Sequence, residues 1–431
     1  MPTEIVTNGL ILRALRGHTR KSNRRHWHSL PFGLFLAVMA ALLLTTAVAP
    51  RANAEVDASA SWTGGNSSLW SNPLNWTLGG PPTGAQTANF DANFTSANQP
   101  NITAATSVGA LHVAADVTQN VTISASLANI LTIDGVGAGG TGVLIDNGAA
   151  FTLTIDCRVA LGAPQTWTNN SGNLFTVSGA TLALGGSDTL TVNGTGDTLI
   201  SAVTSGGMNS DVIKDGTGTL TLTALNTYDG DTIVNGGTLL VNGSITGMGD
   251  ATVNNGGTLG GTGIITGTVT VNAGGTLAPG NGGNTTGILT TGALTLAPIS
   301  NFQVDINGTA PGTGHDQITA TGTVTITGSN LVVTVGTTLA LGQTFTILNK
   351  VAAGAITGTF AGIPQGGTVT GSNGTVFQVS YTGGNGNDVV LTVVQAAAVP
   401  EPSTWIGGTL AIAGLAFTQR RRLRKLIALS R

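Results

Sequence analysis

The sequence predicts an all-β protein built as a solenoid of stacked coils, and three observations lead to this fold class. Asn-Gly-Gly-Thr-Leu at 235–239 returns at 255–259, and as Ala-Gly-Gly-Thr-Leu at 273–277, in steps of 20 and 18 residues. A period near 20 residues is typical of solenoids. Glycine makes up 65 of 431 residues and charged residues only 8%. Short stretches alternate apolar residues with Thr or Ser, which indicates half-buried strands.

The repeated five-residue motif predicts how the coils stack. The equivalent residues Leu239, Leu259 and Leu277 are expected to lie in register inside the bore, where each buried Leu contributes about 1.5–3 kcal/mol. Thr suits the outer face because β-branched side chains fit a pleated surface. Gly and Asn suit the corners between strands, which need positive φ. Stacked Asn side chains are also able to hydrogen-bond to one another along the solenoid axis.

Changes in composition and sequence motifs divide the chain into five segments. A signal peptide occupies 1–54, and a Trp-rich N-terminal cap occupies 55–100. The β-solenoid is assigned to 101–300, followed by a C-terminal β region at 301–395 and a tail at 399–431. The strands of 301–395 are interpreted as either the final coils or a small sandwich-like cap.

The N-terminal segment has the three parts of a secretory leader. A basic region ends at Arg25, an apolar region runs from Leu30 to Val48, and Ala52 and Ala54 form a small-x-small cleavage site. Cleavage after Ala54 and export through the Sec translocon are therefore expected. The alternative is an uncleaved membrane anchor, because the apolar region is close to the length of a membrane span.

Charge is divided sharply between the ends and the body. Of the 16 basic residues, 13 lie in 1–54 and 400–431, whereas 55–399 holds three basic and 17 acidic residues, a formal charge of −14. An acidic body argues against nucleic-acid binding, which needs basic patches. It suits divalent cations or the outside of a cell. The single cysteine, Cys157, allows no intrachain disulfide and is expected to be buried packing.

Three tryptophans, Trp62, Trp70 and Trp76, lie within 15 residues near the start of the body. Two interpretations are open. Tryptophan rings exposed on a sheet face stack on sugars, which predicts a glycan contact. Alternatively, the rings cap the open end of the solenoid core, because terminal coils must cover the last layer.

One stretch carries a candidate metal ligand. Residues 383–390 fit the Gly-Gly-x-Gly-x-Asp-x-aliphatic nonapeptide that binds calcium in β-rolls, with Asp388 as the ligand. Calcium there needs stacked copies, because it takes 6–8 oxygens shared between turns. The sequence has one copy, and the alternative is a hairpin turn before a strand.

Two pairs of titratable residues are candidates for chemistry. Asp229 and Asp231 flank Gly230, and two carboxylates are able to serve a glycosidase or a lyase. His315 and Asp316 are adjacent. The competing interpretation makes Asp229 and Asp231 solvated turn residues and places His315 and Asp316 in a turn. No phosphate loop, metal-spaced Cys/His cluster or hydrolase signature is present.

Residues 211–241 carry a family resemblance. Lys214-x-Gly-x-Gly-x-Leu220, Asn226-x-Tyr228-x-Gly and Gly-Gly-Thr-Leu239 follow one another in order. This stretch resembles the autotransporter-associated β-strand repeat. The resemblance implies a right-handed parallel β-helix, usually a passenger displayed at a bacterial surface.

The tail resembles a second family. It begins with a Pro-Glu-Pro motif, Pro400, Glu401 and Pro402, and continues with an apolar segment at 404–418. A basic stop follows, which consists of Arg420, Arg421, Arg422, Arg424 and Lys425. In this order the three parts resemble the PEP-CTERM sorting signal. The resemblance implies a transient anchor in the inner membrane, recognition by an exosortase-type processing enzyme and transfer of the body outward. The alternative is a plain C-terminal anchor.

Together these features predict a non-enzymatic, secreted or surface-displayed, structural or adhesin-like β-helix. It would lie at the cell surface or in an extracellular matrix, with exopolysaccharide as a candidate partner. No cofactor is expected apart from the calcium candidate at Asp388. The alternatives are a carbohydrate-active β-helix enzyme, either a polysaccharide lyase or a glycosidase, and a glycan-binding adhesin that uses Trp62, Trp70 and Trp76.

Overall fold

The computed structural model describes residues 59–126, 129–137 and 139–397, together with helical residues 412–413 and 415–420. Within 59–397 the chain winds as a parallel β-helix. Most coils contribute one strand to each of three faces, so strands that pair are three apart in chain order. The predicted all-β solenoid is confirmed.

The first face is a long sheet, which has thirteen strands in the described part of the chain. Its strands, in order, are β1 (Ser59–Ser61), β2 (Thr87–Phe90), β5 (Ala110–Val113), β8 (Thr141–Ile145), β11 (Gln165–Asn169), β14 (Leu190–Gly194), β17 (Val212–Lys214), β20 (Thr232–Val234), β23 (Ala251–Val253), β26 (Val269–Val271), β29 (Leu294–Leu296), β32 (Val324–Thr327) and β35 (Thr357–Thr359).

The second face is an eleven-stranded sheet within the same described residues. It consists of β3 (Asn101–Ile102), β6 (Val121–Ala125), β9 (Leu153–Asp156), β12 (Phe175–Val177), β15 (Thr198–Ile200), β18 (Thr219–Leu222), β21 (Gly237–Val241), β24 (Gly257–Gly261), β27 (Thr276–Pro279), β30 (Asn301–Ile306) and β33 (Asn330–Val335).

The third face is split into two sheets. The five-stranded sheet contains β4 (Thr106–Val108), β7 (Ile130–Ile133), β10 (Arg158–Leu161), β13 (Thr181–Ala183) and β16 (Val203–Ser205). The nine-stranded sheet contains β19 (Leu225–Asn226), β22 (Ser244–Ile245), β25 (Ile264–Ile265), β28 (Ile288–Thr291), β31 (Gln317–Ala320), β34 (Thr344–Lys350), β36 (Thr368–Thr370), β37 (Val376–Gly383) and β38 (Asp388–Gln395). A short 3₁₀ helix, η1, covers Pro73–Asn75.

The core is a stack of aliphatic residues in register. Leu239 pairs with Leu259, and Leu259 pairs with Leu277. All three side chains have 0% exposure. The predicted stacking of these residues in the bore is therefore confirmed. Cys157 is also buried, as expected, and burial followed by the nearby Asp156 carboxylate raises the pKa of its thiol to about 12.

Glycine is frequent because neighbouring coils approach too closely at the corners for a side chain. A Cβ placed on Gly218 would lie 2.1 Å from the carbonyl oxygen of Gly196. One on Gly237 would lie 2.4 Å from the carbonyl oxygen of Gly218. Real Cβ atoms do not approach oxygen this closely, so glycine at one corner is required by the backbone of the coil below.

Backbone hydrogen bonds cover the strand edges at both ends of the solenoid. At the N-terminal end, Thr77 N–H donates to the Ser61 carbonyl over 3.1 Å, which covers the free edge of β1. At the C-terminal end, β38 pairs antiparallel with β34 and β37, and β37 pairs antiparallel with β36. Parallel pairing runs from β1 to β35. Parallel pairing therefore continues across residues 100 and 300.

Ile299 is strained and gives a stability prediction. It has φ 56° and is 66% exposed at a corner where the adjoining coils place Gly274 and Gly328, both with positive φ. A β-branched residue in this conformation costs about 1–2 kcal/mol. Ile299→Gly should therefore raise the free energy of unfolding by about 0.5–1 kcal/mol after the glycine entropy cost is subtracted. Denaturant unfolding measures the change.

The control is Ile264→Gly, because Ile264 is also exposed but lies in strand β25. Glycine weakens a strand interior, so this variant should be destabilised. Equal destabilisation of the two variants would show that the corner at 299 is not strained.

Candidate functional site

Lys214, the basic residue of the family-like stretch, points into the solenoid and is only 2% exposed. Its Nζ donates to the carbonyl oxygens of Asp215, Gly216 and Gly236 over 2.5, 3.2 and 3.3 Å. Burial lowers the pKa of this ammonium to about 8, against opposing contributions from the Asp215 and Asp197 carboxylates. The side chain satisfies corner carbonyls of two adjacent coils and is not available to a ligand.

Asn226 lies where the third face passes from the five-stranded to the nine-stranded sheet. The residue is fully buried. Its Oδ1 accepts from Thr204 N–H over 3.1 Å, and its Nδ2 donates to the carbonyls of Ala224 and Ser244 over 3.1 Å each. The side chain therefore links β16, β19 and β22 at the junction.

Tyr228 completes the set of inward polar residues. It is fully buried, and its hydroxyl lies 2.7 Å from Thr232 Oγ1. Burial raises the pKa of the phenol, against the opposing hydrogen bond with Thr232. Each of these three residues is occupied within the fold, so the repeat serves as scaffold.

Lys350 plays a similar part that no motif in the sequence indicated. It is 1% exposed, and its Nζ donates to the carbonyl oxygens of Ala352, Ala353 and Gly354 over 2.6, 2.9 and 2.8 Å. The ammonium thus satisfies a turn that follows β34. A lone Lys in a Thr/Val-rich stretch gave no signal that could distinguish it from a solvent-exposed one.

The outer surface of the long sheet carries a hydrogen-bonded chain of side chains, here called the amide ladder: Asp215, Asn235, Asn254 and Asn272. Asn235 Nδ2 donates to Asp215 Oδ1 over 2.9 Å. Asn254 Nδ2 then donates to Asn235 Oδ1, and Asn272 Nδ2 to Asn254 Oδ1, over 2.8 Å each. The predicted hydrogen bonding of stacked Asn side chains along the axis is confirmed.

The acidic residues near Gly230 serve coil stacking. Asp231 Oδ1 accepts from Asp250 N–H over 2.9 Å, and Asp229 Oδ1 accepts from Met248 N–H over 3.2 Å. Asp211 Oδ1 makes the equivalent bond to Asp231 N–H over 2.8 Å. One oxygen of each carboxylate is therefore held by backbone of the following coil. The second coil step here is 19 residues, which agrees with the period read from the repeats.

The three tryptophans of the N-terminal module are buried together. Trp62, Trp70 and Trp76 are 0%, 1% and 3% exposed. Their ring centroids lie 6.3 Å apart for Trp62 and Trp70, 5.0 Å for Trp62 and Trp76, and 4.8 Å for Trp70 and Trp76. A glycan contact through these residues needs exposed ring faces, whereas all three rings are buried. The rings pack against one another beside β1, as the cap interpretation expects.

Asp388 lies at the end of an antiparallel hairpin rather than in stacked β-roll turns. It begins β38, opposite Gly383 of β37. The side chain is 6% exposed, and its Oδ1 accepts from Lys350 N–H over 2.9 Å. Among the residues that the structure describes, no three His, Cys, Asp or Glu side chains gather where they could hold a metal ion.

His315 and Asp316 directly follow the turn at 312–314 and are buried. They are 1% and 2% exposed. Asp316 Oδ1 accepts from Gly287 N–H and Oδ2 from Asp305 N–H, each over 2.8 Å. His315 Nε2 lies 3.3 Å from the Thr346 carbonyl oxygen. The carboxylate fastens a corner loop to its neighbours and has both oxygens engaged.

The buried carboxyl predicts a pH dependence of stability. Burial raises the pKa of Asp316 to about 7, against hydrogen bonds from Asp305 and Gly287, and the Asp305 carboxylate raises it further. A raised folded-state pKa gives stability that is complete below the unfolded value near 3.8 and is lost as pH rises through about 7. The Asp316 contribution therefore destabilises the fold between pH 4 and 8.

Asp316→Asn should remove this contribution, because an amide does not titrate. The variant loses some stability at every pH, since Nδ2 must face one backbone N–H. Thermal unfolding midpoints at pH 5 and pH 8 give the slope for each protein. The wild-type midpoint should fall more over this interval than that of the variant, and parallel slopes would contradict the assignment.

Several predicted signal residues lie outside the described part of the chain. These are the cleavage-site residues Ala52 and Ala54, the motif Pro400, Glu401 and Pro402, and Arg421, Arg422, Arg424 and Lys425 of the basic stop. Arg420 is described and ends helical residues 415–420, where it is exposed. Among the described residues, no helix combines the length and apolar character needed to cross a membrane.

Comparison with known proteins places the similarity in the repeat region. The passenger-associated transport repeat matches residues 212–241, which confirms the resemblance to an autotransporter-associated repeat. The chain is also similar to the adhesin BmaC autotransporter of Brucella suis biovar 1 (strain 1330), with 37% identity over 100 residues. That match covers 23% of this chain and 3% of the adhesin, so the chain matches a small part of its relative.

Proposed function

We propose that this chain is a non-enzymatic, adhesin-like β-helix displayed at the cell surface or in the extracellular matrix. The observation that carries the proposal is a parallel solenoid, continuous through the described residues from β1 to β35, that includes the matched repeat at 212–241. Lys214 and Asn226 hydrogen-bond to adjacent coils, and the buried Tyr228 hydroxyl bonds to Thr232 within its own corner. The similarity to part of an adhesin supports the same function.

The environment of the acidic candidates also supports a non-enzymatic role. Asp316 has both carboxylate oxygens bonded to backbone and is 2% exposed, which removes it from reach of a polymer substrate. Asp229 and Asp231 each have one oxygen bonded to the next coil. Incubation of the purified chain with neutral and acidic polysaccharides should yield no new reducing ends or unsaturated products. Product formation would favour the carbohydrate-active enzyme.

Sorting by an exosortase-type enzyme is part of the proposal. Its support is the ordered tail of Pro400-Glu401-Pro402, apolar segment and basic cluster, together with the leader at 1–54. The basic cluster would hold the tail at the cytoplasmic side of the inner membrane until processing. The Sec translocon and the processing enzyme are then successive partners.

Replacement of Pro400, Glu401 and Pro402 by alanine in the producing bacterium tests the sorting step. The variant should accumulate as a larger, membrane-associated species and should lose protease accessibility on intact cells. The matched control replaces Ser403 by alanine, which changes an adjacent residue outside the motif and outside the apolar segment. Normal size and surface exposure of the triple variant would refute sorting through this motif.

A further inference from the structure

The outer face of the long sheet carries a second regular array beside the amide ladder. We call it the Thr column: Thr191, Ile213, Ile233, Thr252, Thr270 and Thr295. These residues pair in register from strand to strand. Each is partly exposed. Neighbouring strands are about 4.8 Å apart, so the column presents hydroxyl and methyl groups at one period along the solenoid axis.

The amide ladder lies two residues further along each coil and keeps unused hydrogen-bonding capacity. A carboxamide has two N–H donors and two acceptor lone pairs. In the ladder Asn235 and Asn254 each use one N–H and one lone pair. The bonds within the ladder fix the orientation of each amide. A second donor and a second acceptor therefore remain at Asn235 and at Asn254 for a group lying above the sheet.

Charge restricts what can lie there. The body carries −14 between residues 55 and 399. Across the Thr column and the amide ladder, one charged side chain is present, Asp215, and its Oδ1 already accepts from Asn235. A polyanion approaching this acidic body would be repelled. A second copy of the chain would bring another strongly acidic body to the same face.

We propose that the Thr column and the amide ladder together bind a neutral, hydroxyl-rich polysaccharide chain aligned with the solenoid axis. Amides and Thr hydroxyls exchange hydrogen bonds with sugar hydroxyls, while Thr methyls, Ile213 and Ile233 pack against the C–H faces of the rings. Because contacts repeat at every coil, weak individual contacts add along the chain. This inference rests on the proposed adhesin-like function and assigns it a ligand class.

The test uses the full-length purified chain with an uncharged β-glucan and, in parallel, polygalacturonate as an acidic polymer. The glucan should co-sediment with the protein and polygalacturonate should not. The double variant Thr252→Glu/Thr270→Glu places two carboxylates in the column, and a docked neutral chain would have to desolvate them. Its affinity for the glucan should fall by on the order of tenfold or more.

The matched control is Thr154→Glu/Thr176→Glu. Thr154 and Thr176 are also partly exposed, in-register residues on adjacent strands, but they belong to the eleven-stranded sheet. The control should bind the glucan as wild type does. Thermal unfolding of both variants separates loss of binding from loss of fold, and Thr252→Val/Thr270→Val, which keeps the shape and removes the hydroxyls, should also weaken binding.

Three outcomes would overturn the inference: no binding of the neutral polymer by the wild type, equal loss of binding in the two Glu variants, or preference for polygalacturonate. Self-association through this face without glucan binding would show that the face binds a second copy of the chain and not a polysaccharide. The surface-exposure experiment reports separately on the proposed function. If the chain reaches the surface but does not bind neutral glucans, the proposed ligand is wrong while the proposed function stands.

Discussion

Trp70→Ala is expected to lower the free energy of unfolding of the first coils by about 3–5 kcal/mol. Trp70 is 1% exposed and contacts both Trp62 and Trp76. Its main-chain carbonyl also accepts from Trp76 Nε1 over 2.7 Å, so removal of the ring leaves a cavity beside this hydrogen bond. Hydrogen exchange of β1 and β2 measures the effect, because opening in a solenoid is local.

Trp70→Phe is the matched control. Among the described residues, the indole Nε1 of Trp70 is buried without a hydrogen-bond partner. Phenylalanine keeps an aromatic ring and removes that unsatisfied donor, so the cost should be no more than about 1–2 kcal/mol. If alanine proved as mild as phenylalanine, the tryptophan cluster would not be the cap of the first coil.

Gly218→Ala is expected to cost at least about 2 kcal/mol, although it adds a single methyl group. The new Cβ would lie 2.1 Å from the carbonyl oxygen of Gly196 and 2.7 Å from its carbonyl carbon. Both atoms belong to backbone of the coil below, which cannot rotate away as a side chain could. Two coils must separate, and the bonds from β18 to its neighbours β15 and β21 weaken.

Gly172→Ala provides the comparison, because a Cβ there meets no atom within 4 Å and the residue has no positive φ. Its stability should change by less than about 0.5 kcal/mol, or rise slightly as the unfolded chain loses freedom. Chemical denaturation of both variants decides the matter. Similar stability for the two would mean that adjacent coils are not in close backbone contact at Gly218.

The sequence predicted those parts of the fold that repeat. The shared Gly-Gly-Thr-Leu motif was enough to place three leucines in one column: Leu239, Leu259 and Leu277. The amide ladder was also foreseeable, since Asn recurs at nearly the same period. Residues that repeat with the period occupy equivalent positions in every coil, and stacking of the coils places them in register.

Features that occur once could not be read in this way. Lys350, Asp316 and Asn226 are single polar residues, and their burial depends on which carbonyls or N–H groups lie beside them in three dimensions. Pattern alone treats such residues as solvated. The Trp cluster left two interpretations for the same reason, because the sequence records three large rings but not whether a coil lies beneath them.

The closures at both ends have a consequence for how such a molecule can change in length. The Trp-bearing segment completes the edge of β1, and the antiparallel strands β36 to β38 complete the other end. Growth at either terminus would have to displace a finished cap. Tandem duplication of an internal unit of 18–20 residues adds a layer whose upper and lower surfaces already match. Each duplication would extend the reach of the rod by about 4.8 Å while leaving both caps, and whatever they join, unchanged.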